Sequence, residues 1–237
     1  YRAEMSVSDE ILKRVSDAYR RLRNTQRFLL GNLSGFEPGE HDVPRSELIS
    51  LDQWALDRAE ALQGDVVRAY EGYEFHHIYH KVHNFCVIEM GGFYLDVIKD
   101  RLYTTPAGGL ARRSAQTAMY HIAEAMVRWL APIVSFTAEE IWQALPGERG
   151  DSVFLSTWHT FPEMDGNTAV DWDSILEVRQ AVSKELEQLR VAGDIGAPLD
   201  ARVDLFCPTP LASTLLQLSL IHISEPTRRT PISYAGF

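Results

Sequence analysis

Apolar residues return at every third or fourth position through most of this chain, and this helical period constrains the fold more than any other feature. The pattern begins at Ser8, which can cap a helix that Gly31 can end. The acids Asp9 and Glu10 follow in the first turn, where the helix dipole favours negative charge. The apolar stripe consists of Ile11, Val15, Ala18, Leu22 and Leu29. We therefore predict a helix of about six turns with one face in a core.

The same period recurs downstream of a loop at 32–49 that is rich in Gly, Pro, Ser and acids. Further helices are predicted at 50–73, 74–90, 93–103, 111–131, 136–147 and 172–193. The glycines at 91 and 92 allow a kink or a close backbone approach. Residues 201–206, ARVDLF, alternate like a strand. The predicted fold is mainly α: a helical bundle, followed from about Asp171 by a small α+β segment.

Composition indicates a globular, soluble and cytoplasmic protein. The apolar content of 45% can supply a core, and no apolar stretch approaches the roughly 18 residues of a membrane span. The N-terminus also lacks the layout of a secretion signal. The two cysteines, Cys86 and Cys207, lie far apart, which favours reduced thiols and excludes a four-cysteine zinc site within this chain.

The net charge of −10 argues against non-specific nucleic-acid binding by the molecule as a whole. The first predicted helix is an exception, because it holds six basic residues against three acidic ones, a net charge of +3. Its basic residues and one amide form a candidate phosphate-binding face away from the apolar stripe: Lys13, Arg20, Arg23, Asn24 and Arg27. The alternative is an ordinary solvated surface. Clustered arginines with few acids favour phosphate contacts.

Arg112 and Arg113 lie near the start of another predicted helix, where a cation opposes the dipole. This placement is compatible with a binding role or with ion pairs to a neighbouring helix.

Four of the eight histidines fall within residues 74–85, EFHHIYHKVHNF. On a helix His76, His80 and His83 share one stripe, which a three-ligand zinc site would require. The zinc-hydrolase pattern needs a glutamate where this chain has His77. Both a metal site and an ordinary surface stay open, and the surface is favoured. No Gly-rich phosphate loop, Gly-x-Ser-x-Gly or Cys-x-x-Cys motif occurs, so no catalytic residue is predicted.

Several long blocks, in order, resemble bacterial-type isoleucyl-tRNA synthetase, a class I aminoacyl-tRNA synthetase, from just after its catalytic core. The blocks include SDAYRRLRNTQRFLLGNL, AYEGYEFHHIYHKVHNFC, GGFYLDVIKDRLYT, ARRSAQTAMYHIAEAMVRWLAPIVSFTAEEIW and VFLSTW. The resemblance runs from Tyr1 to about Phe206 and implies the helical anticodon-binding bundle of that family.

The resemblance implies a fragment of an enzyme of protein biosynthesis that attaches isoleucine to its tRNA in ATP-dependent steps. The nucleotide-binding signatures His-Ile-Gly-His and Lys-Met-Ser-Lys-Ser are absent from this chain, so it should be inactive alone. ATP and magnesium would belong to the complete enzyme, and zinc to a C-terminal region absent here. No cofactor is expected in the fragment. The implied partners are isoleucine tRNA and the catalytic core of the same polypeptide, in a monomer without membrane contact.

The resemblance also orders the candidate RNA-binding residues. The face of Lys13, Arg20, Arg23, Asn24 and Arg27 comes first, then Arg112 and Arg113, with Asn24 and Gln116 as candidate readers of anticodon bases. The implied domains are 1–7, the end of the connection from the catalytic core; 8–160, the anticodon-binding bundle; 161–206, the start of a small α+β segment; and 207–237, a tail outside the family pattern. Two other functions stay open, a histidine-rich metal-binding helical protein and a helical scaffold without a ligand.

Overall fold

The computed structural model describes residues 7–164, 170–197 and 200–217. The chain divides into two compact units, 1–167 and 168–237. Within the described residues all regular structure is helical. No helix among them is long and apolar enough to cross a bilayer. The end of the predicted non-family tail, residues 218–237, lies outside the described residues.

The described part of the first unit contains seven α-helices, and most lie where the helical period predicts them. They are α1 (Asp9–Asn32), α2 (Ser50–Glu71), α3 (Phe75–Asn84), α4 (Leu95–Val97), α5 (Lys99–Thr104), α6 (Leu110–Leu130) and α7 (Ser135–Ala144). A π-helical segment (Phe85–Tyr94) joins α3 to α4, and short 3-10 turns occupy Arg45–Glu47 and Val153–Leu155. The second unit contains α8 (Trp172–Ala192) and α9 (Thr209–Gln217), which contact each other.

The π segment replaces the kink that the two adjacent glycines suggest. A Cβ on Gly91 would lie 3.1 Å from the carbonyl oxygen of Cys86, and one on Gly92 would lie 3.1 Å from that of Val87. Each of these carbonyls is five residues earlier, in the widened turn that defines a π-helix. The glycines therefore let the helix continue where a side chain would press on its own backbone.

The start of α1 follows the predicted cap but not the predicted burial. The Ser8 hydroxyl accepts a hydrogen bond from the Ile11 amide at 3.2 Å, and Ala18, Leu22 and Leu29 are buried. Ile11 and Val15 on the same stripe are 41% and 59% exposed, which corrects the prediction that the whole stripe lies in the core. The side chains of the first two turns of α1 are exposed in the described structure.

Helix directions follow from side chains that join helix ends. The Gln116 amide near the start of α6 donates to the Asn32 carbonyl at the end of α1, at 2.9 Å. At the other end the hydroxyls of Tyr19 in α1 and Thr137 in α7 are 2.8 Å apart. Because α7 follows α6 directly, α1 and α6 run in opposite directions.

Helices α2 and α6 run in the same direction. Ser114 at the start of α6 donates to Asp52 at the start of α2 (2.5 Å), and Tyr70 near the end of α2 donates to the Trp129 carbonyl near the end of α6 (2.7 Å). Tyr94, which ends the π segment, also donates to Asp52, at 2.8 Å. Helix α3 and the π segment therefore run opposite to α2 and in the same direction as α1.

The second unit corrects one sequence prediction. Asp171 caps α8 by accepting a hydrogen bond from the Ser174 amide at 3.1 Å, and Gly193 ends α8 at a φ of 84°, as predicted for that glycine. Residues 201–206 do not form the predicted strand. No partner strand exists within the described residues, and a strand alone cannot satisfy its backbone hydrogen bonds. The predicted α+β character is absent from the described part of this unit.

Candidate nucleic-acid interface

The basic face of α1 points away from the core. At about 100° per residue, Lys13, Arg20, Asn24 and Arg27 fall within about 60° of one another, opposite the buried stripe. All four side chains are exposed, and Arg23 is exposed at one edge of the same surface. We call these five residues the α1 basic face. The cap at Ser8 and the buried stripe fix which way it points.

Most cations of the α1 basic face have no acidic partner. Lys13, Arg23 and Arg27 form no ion pair within the described ranges. Arg20 lies 3.2 Å from Asp17, and both side chains are exposed, so this pair contributes little to stability and is easily given up. The face therefore offers guanidinium and ammonium groups that are free to bind an anion.

Arginines elsewhere in the bundle are used differently. Arg101 donates two hydrogen bonds, at 2.9 and 2.7 Å, to the fully buried carboxylate of Asp52. Burial lowers the pKa of Arg101, but its pairing with Asp52 outweighs this, so the pKa is raised. Burial, with the nearby carboxylate second, raises the pKa of Tyr94 well above its usual value. This charged cluster locks the starts of α2 and α6 and leaves no cation for a ligand.

Two further arginine clusters are also structural. Arg45, only 5% exposed, donates to Asp57 and Glu60, each at 2.7 Å. Arg128 and Arg149 both bond to Glu124. Arginine alone thus marks no binding site in this chain, and exposure with few carboxylate partners separates the α1 basic face from these buried clusters.

Gln116 corrects part of the predicted site. Its side chain is fully buried, its amide nitrogen donates to the Asn32 carbonyl, and its oxygen accepts from Arg113 at 2.9 Å. Arg113 also donates to the Gly35 carbonyl at 2.8 Å. Gln116 joins α6 to the end of α1 and is not free to read a base.

Arg112, unlike Arg113, is not part of the hydrogen bonds around Gln116. It is half-buried and forms no ion pair with any residue that the structure describes. Since the start of α6 lies beside the end of α1, Arg112 and Arg113 lie nearer to Arg27 than to Lys13. The structure thus places the second predicted group near the end of α1.

The histidine helix does not assemble a metal site in the described residues, which hold no group of three or more His, Cys, Asp or Glu side chains placed to bind an ion. Tyr79 packs between two of the histidines, with ring centroids 5.1 Å from His80 and 5.9 Å from His83. His76 and His80 are exposed, and His83 is half-buried.

Two further histidines form a pair that could not be predicted from the sequence. His121 Nδ1 in α6 lies 3.0 Å from His159 Nε2, although 38 residues separate them. Burial, and then the neighbouring His121, lowers the pKa of His159 to about 3, and burial also lowers the pKa of His121. The pair is therefore neutral at neutral pH and ties the segment after Val153–Leu155 to the bundle.

Comparison with known proteins identifies the family of the helical bundle. Residues 52–205 match the family model of the anticodon-binding domain of tRNA ligase. The chain is 60% identical over 222 residues to the isoleucine–tRNA ligase of Nitrosococcus oceani, covering 92% of this chain and 24% of that protein. It is 60% identical over 215 residues to that of Methylococcus capsulatus (89% and 23%) and 61% identical over 222 residues to that of Alkalilimnicola ehrlichii (92% and 24%).

The chain spans about a quarter of the length of these relatives. Helix α1 precedes the residues that the family model matches. The match covers more than half of the chain and all of α6, α7 and α8. The chain belongs to the family of anticodon-binding domains of tRNA ligases.

Proposed function

We propose that this chain is the anticodon-binding part of an isoleucine–tRNA ligase and that it binds the anticodon stem-loop of isoleucine tRNA through the α1 basic face. The observation that carries this proposal is the row of exposed, mostly unpaired cations on α1, in a chain whose net charge is −10. On such an acidic molecule, a cluster of unpaired cations favours binding of an anionic partner at that cluster alone.

The chemistry of the face suits an RNA loop. Arg20, Arg23, Arg27 and Lys13 can neutralise phosphates around the loop. Asn24 lies among them, and its exposed amide offers both donors and an acceptor to the edge of an unstacked base. Arg112 and Arg113, near the end of α1, would add further phosphate contacts. Gln116 has no part in base reading, because it is buried and bonded.

The remaining proposals concern the complete enzyme. Its catalytic core, with ATP and magnesium, would attach isoleucine to the tRNA, and zinc would belong to a region outside this chain. We expect a cytoplasmic monomer in which residues 1–7 connect to the catalytic core and 8–160 form the RNA-binding bundle. Anticodon binding would then help to position the distant acceptor end, so loss of the α1 contacts would lower catalysis as well as affinity.

Binding of this chain to isoleucine tRNA and to an anticodon-swapped copy, over a salt series, tests the proposal. We expect a preference for the isoleucine anticodon and a fall in log affinity of roughly 0.7 to 0.9 per phosphate contact for each tenfold rise in salt. The double change Arg20→Gln and Arg27→Gln should lower the affinity for both RNAs by roughly tenfold and reduce the dependence of that affinity on salt. Asn24→Ala should remove mainly the preference.

Arg68→Gln is the matched control, because Arg68 is an equally exposed helical arginine on α2 that pairs with Asp65. It should leave binding within about twofold of the native chain. Equal and feeble binding of both RNAs, unchanged by the α1 substitutions, would instead identify the bundle as a scaffold.

A further inference from the structure

The chain forms a tight turn directly after α1, and both ends of this turn are anchored in the core. The Phe36 amide donates to the Leu33 carbonyl at 3.0 Å, which closes the turn. The side chains of Leu33 and Phe36 are 3% and 1% exposed. The two central residues, Ser34 and Gly35, are exposed. We call these four residues the post-α1 turn.

Side chains of α6 hold carbonyl groups in and before this turn. The Arg113 guanidinium donates to the Gly35 carbonyl at 2.8 Å and to the Gln116 amide oxygen at 2.9 Å. The Gln116 nitrogen, which donates to the Asn32 carbonyl at 2.9 Å, also lies 3.5 Å from the Ser34 carbonyl oxygen. These carbonyl oxygens therefore face α6.

The N–H group at the centre of the post-α1 turn faces the other way. In a trans peptide the N–H points opposite to the carbonyl of the preceding residue. Since the Ser34 carbonyl faces α6, the Gly35 N–H is directed away from α6. Neither the Ser34 amide nor the Gly35 amide donates to an acceptor in the part of the chain that the structure describes. The exposed side of the turn thus offers unbonded backbone donors and the Ser34 hydroxyl.

The charges around the post-α1 turn suit the edge of a base better than a phosphate. The hydrogen bonds of Arg113 go to neutral oxygens, so no carboxylate in the described residues compensates its charge. Glu37, directly after the turn, is exposed and forms no ion pair within the same residues. A phosphate carries acceptors only and would meet the negative charge of Glu37, whereas a base edge offers both acceptors and donors.

We propose that the post-α1 turn reads the edge of an unstacked anticodon base with its backbone donors, and that Arg113 is the positioning residue that fixes the turn against α6. This inference rests on the proposed RNA-binding function and adds a second base-reading element to Asn24. Bases in RNA loops are unstacked, so their edges are open to such donors. Donors that are already held in one geometry lose little conformational entropy on binding.

Gly35 allows a substitution that alters only the exposed side of the turn. Its φ is 70°, which asparagine tolerates better than most residues, and a Cβ there meets nothing within 4 Å. Gly35→Asn should therefore fold like the native chain but place a side chain beside the unbonded donors. We expect its affinity for isoleucine tRNA to fall by roughly tenfold, and its affinity for the anticodon-swapped copy to stay within about twofold.

Gly39→Asn is the matched control. Gly39 lies in the same loop, has a φ of 87°, and a Cβ there also meets nothing within 4 Å. Its amide, however, already donates to Asp42 at 2.6 Å. Both affinities of this variant should stay within about twofold of the native values.

Arg113→Lys tests the positioning role, because lysine keeps the charge but lacks the planar fork that bonds two oxygens at once. We expect the preference for the isoleucine anticodon to fall by roughly threefold to tenfold, while the salt dependence of binding stays that of the native chain. A side chain that only stabilised the fold would leave the preference intact. A preference retained in this variant would therefore overturn the positioning role.

An undiminished preference in Gly35→Asn, or an equal loss in Gly39→Asn, would overturn the reading by the turn and leave the proposed RNA binding in place. A native chain without any preference between the two RNAs would overturn the proposed anticodon reading, and this inference with it. Circular dichroism of each variant verifies that the helices are retained.

Discussion

Gln26 and Gln116 are both buried amides at the contact between α1 and α6, but their hydrogen bonding differs. Gln116 is bonded at both ends, to the Asn32 carbonyl and to Arg113. Neither the nitrogen nor the oxygen of Gln26 has a partner in the described structure, although the residue is only 1% exposed. A small cavity of about 10 Å³ lies beside it, lined also by Tyr19 and Leu22. A buried amide without partners costs free energy, whereas a satisfied one does not.

Replacing each glutamine by methionine should therefore have opposite effects. Gln26→Met removes two unpaired polar atoms at nearly constant volume and should raise the free energy of unfolding by about 1 kcal/mol. Gln116→Met leaves the Asn32 carbonyl and an Arg113 donor without partners and should lower it by about 1 to 3 kcal/mol. Urea denaturation measures both, and effects of the same sign would contradict this interpretation.

At the scale of the helices, the π segment depends on glycine more than any α-helix does. Gly91→Ala should destabilise the fold by about 1 kcal/mol or more, because the added Cβ would meet a backbone carbonyl that cannot move aside. Gly31→Ala on α1 is the control, since a Cβ there meets nothing within 4 Å and alanine favours the helix by up to about 1 kcal/mol. Thermal unfolding should order the chains as Gly31→Ala, native, Gly91→Ala. A Gly91→Ala chain as stable as the native one would exclude the steric argument.

Helix positions could be predicted from sequence because each helix buries one stripe, and the period of that stripe is local information. The π segment could be anticipated only as a kink, since its cause is contact with carbonyls five residues earlier. The prediction of a strand at 201–206 was wrong, because alternation of apolar and polar residues does not supply a partner strand. The exposed Ile11 and Val15 show a related limit, since the period marks an apolar face but not what covers it.

In the candidate site too, features set by local spacing could be predicted from the sequence, whereas features set by distant contacts could not. The α1 basic face could be located from spacing alone, because a buried stripe fixes the opposite side. Gln116 could not be assigned, since its partners on α1 lie more than 80 residues away. The histidine pair at His121 and His159 left no mark in the sequence for the same reason.

For the whole molecule, that pair predicts acid sensitivity. The pKa of His159 is lowered to about 3 in the folded chain, whereas an unfolded histidine titrates near its usual value of 6.5. Below about pH 6.5 His159 binds a proton in the unfolded chain but stays neutral in the folded chain. The free energy of unfolding should therefore fall as the pH is lowered from about 6.5 to 3. His159→Asn should reduce this loss by roughly 1 to 3 kcal/mol at pH 4, measured by urea unfolding across pH. Parallel pH curves for native and variant chains would contradict it.

The length of α1 has a consequence for the RNA binding that we propose. From Lys13 to Arg27 the helix rises by about 21 Å without a break, and its buried side is fixed to the bundle. The distances between the cations on its outer side are therefore fixed. In the proposed complex, an RNA strand whose phosphates match those intervals would bind without rearrangement of the protein, and one with another curvature would have to bend. If α1 binds the loop as proposed, the helix would select the shape of that loop before any base is read.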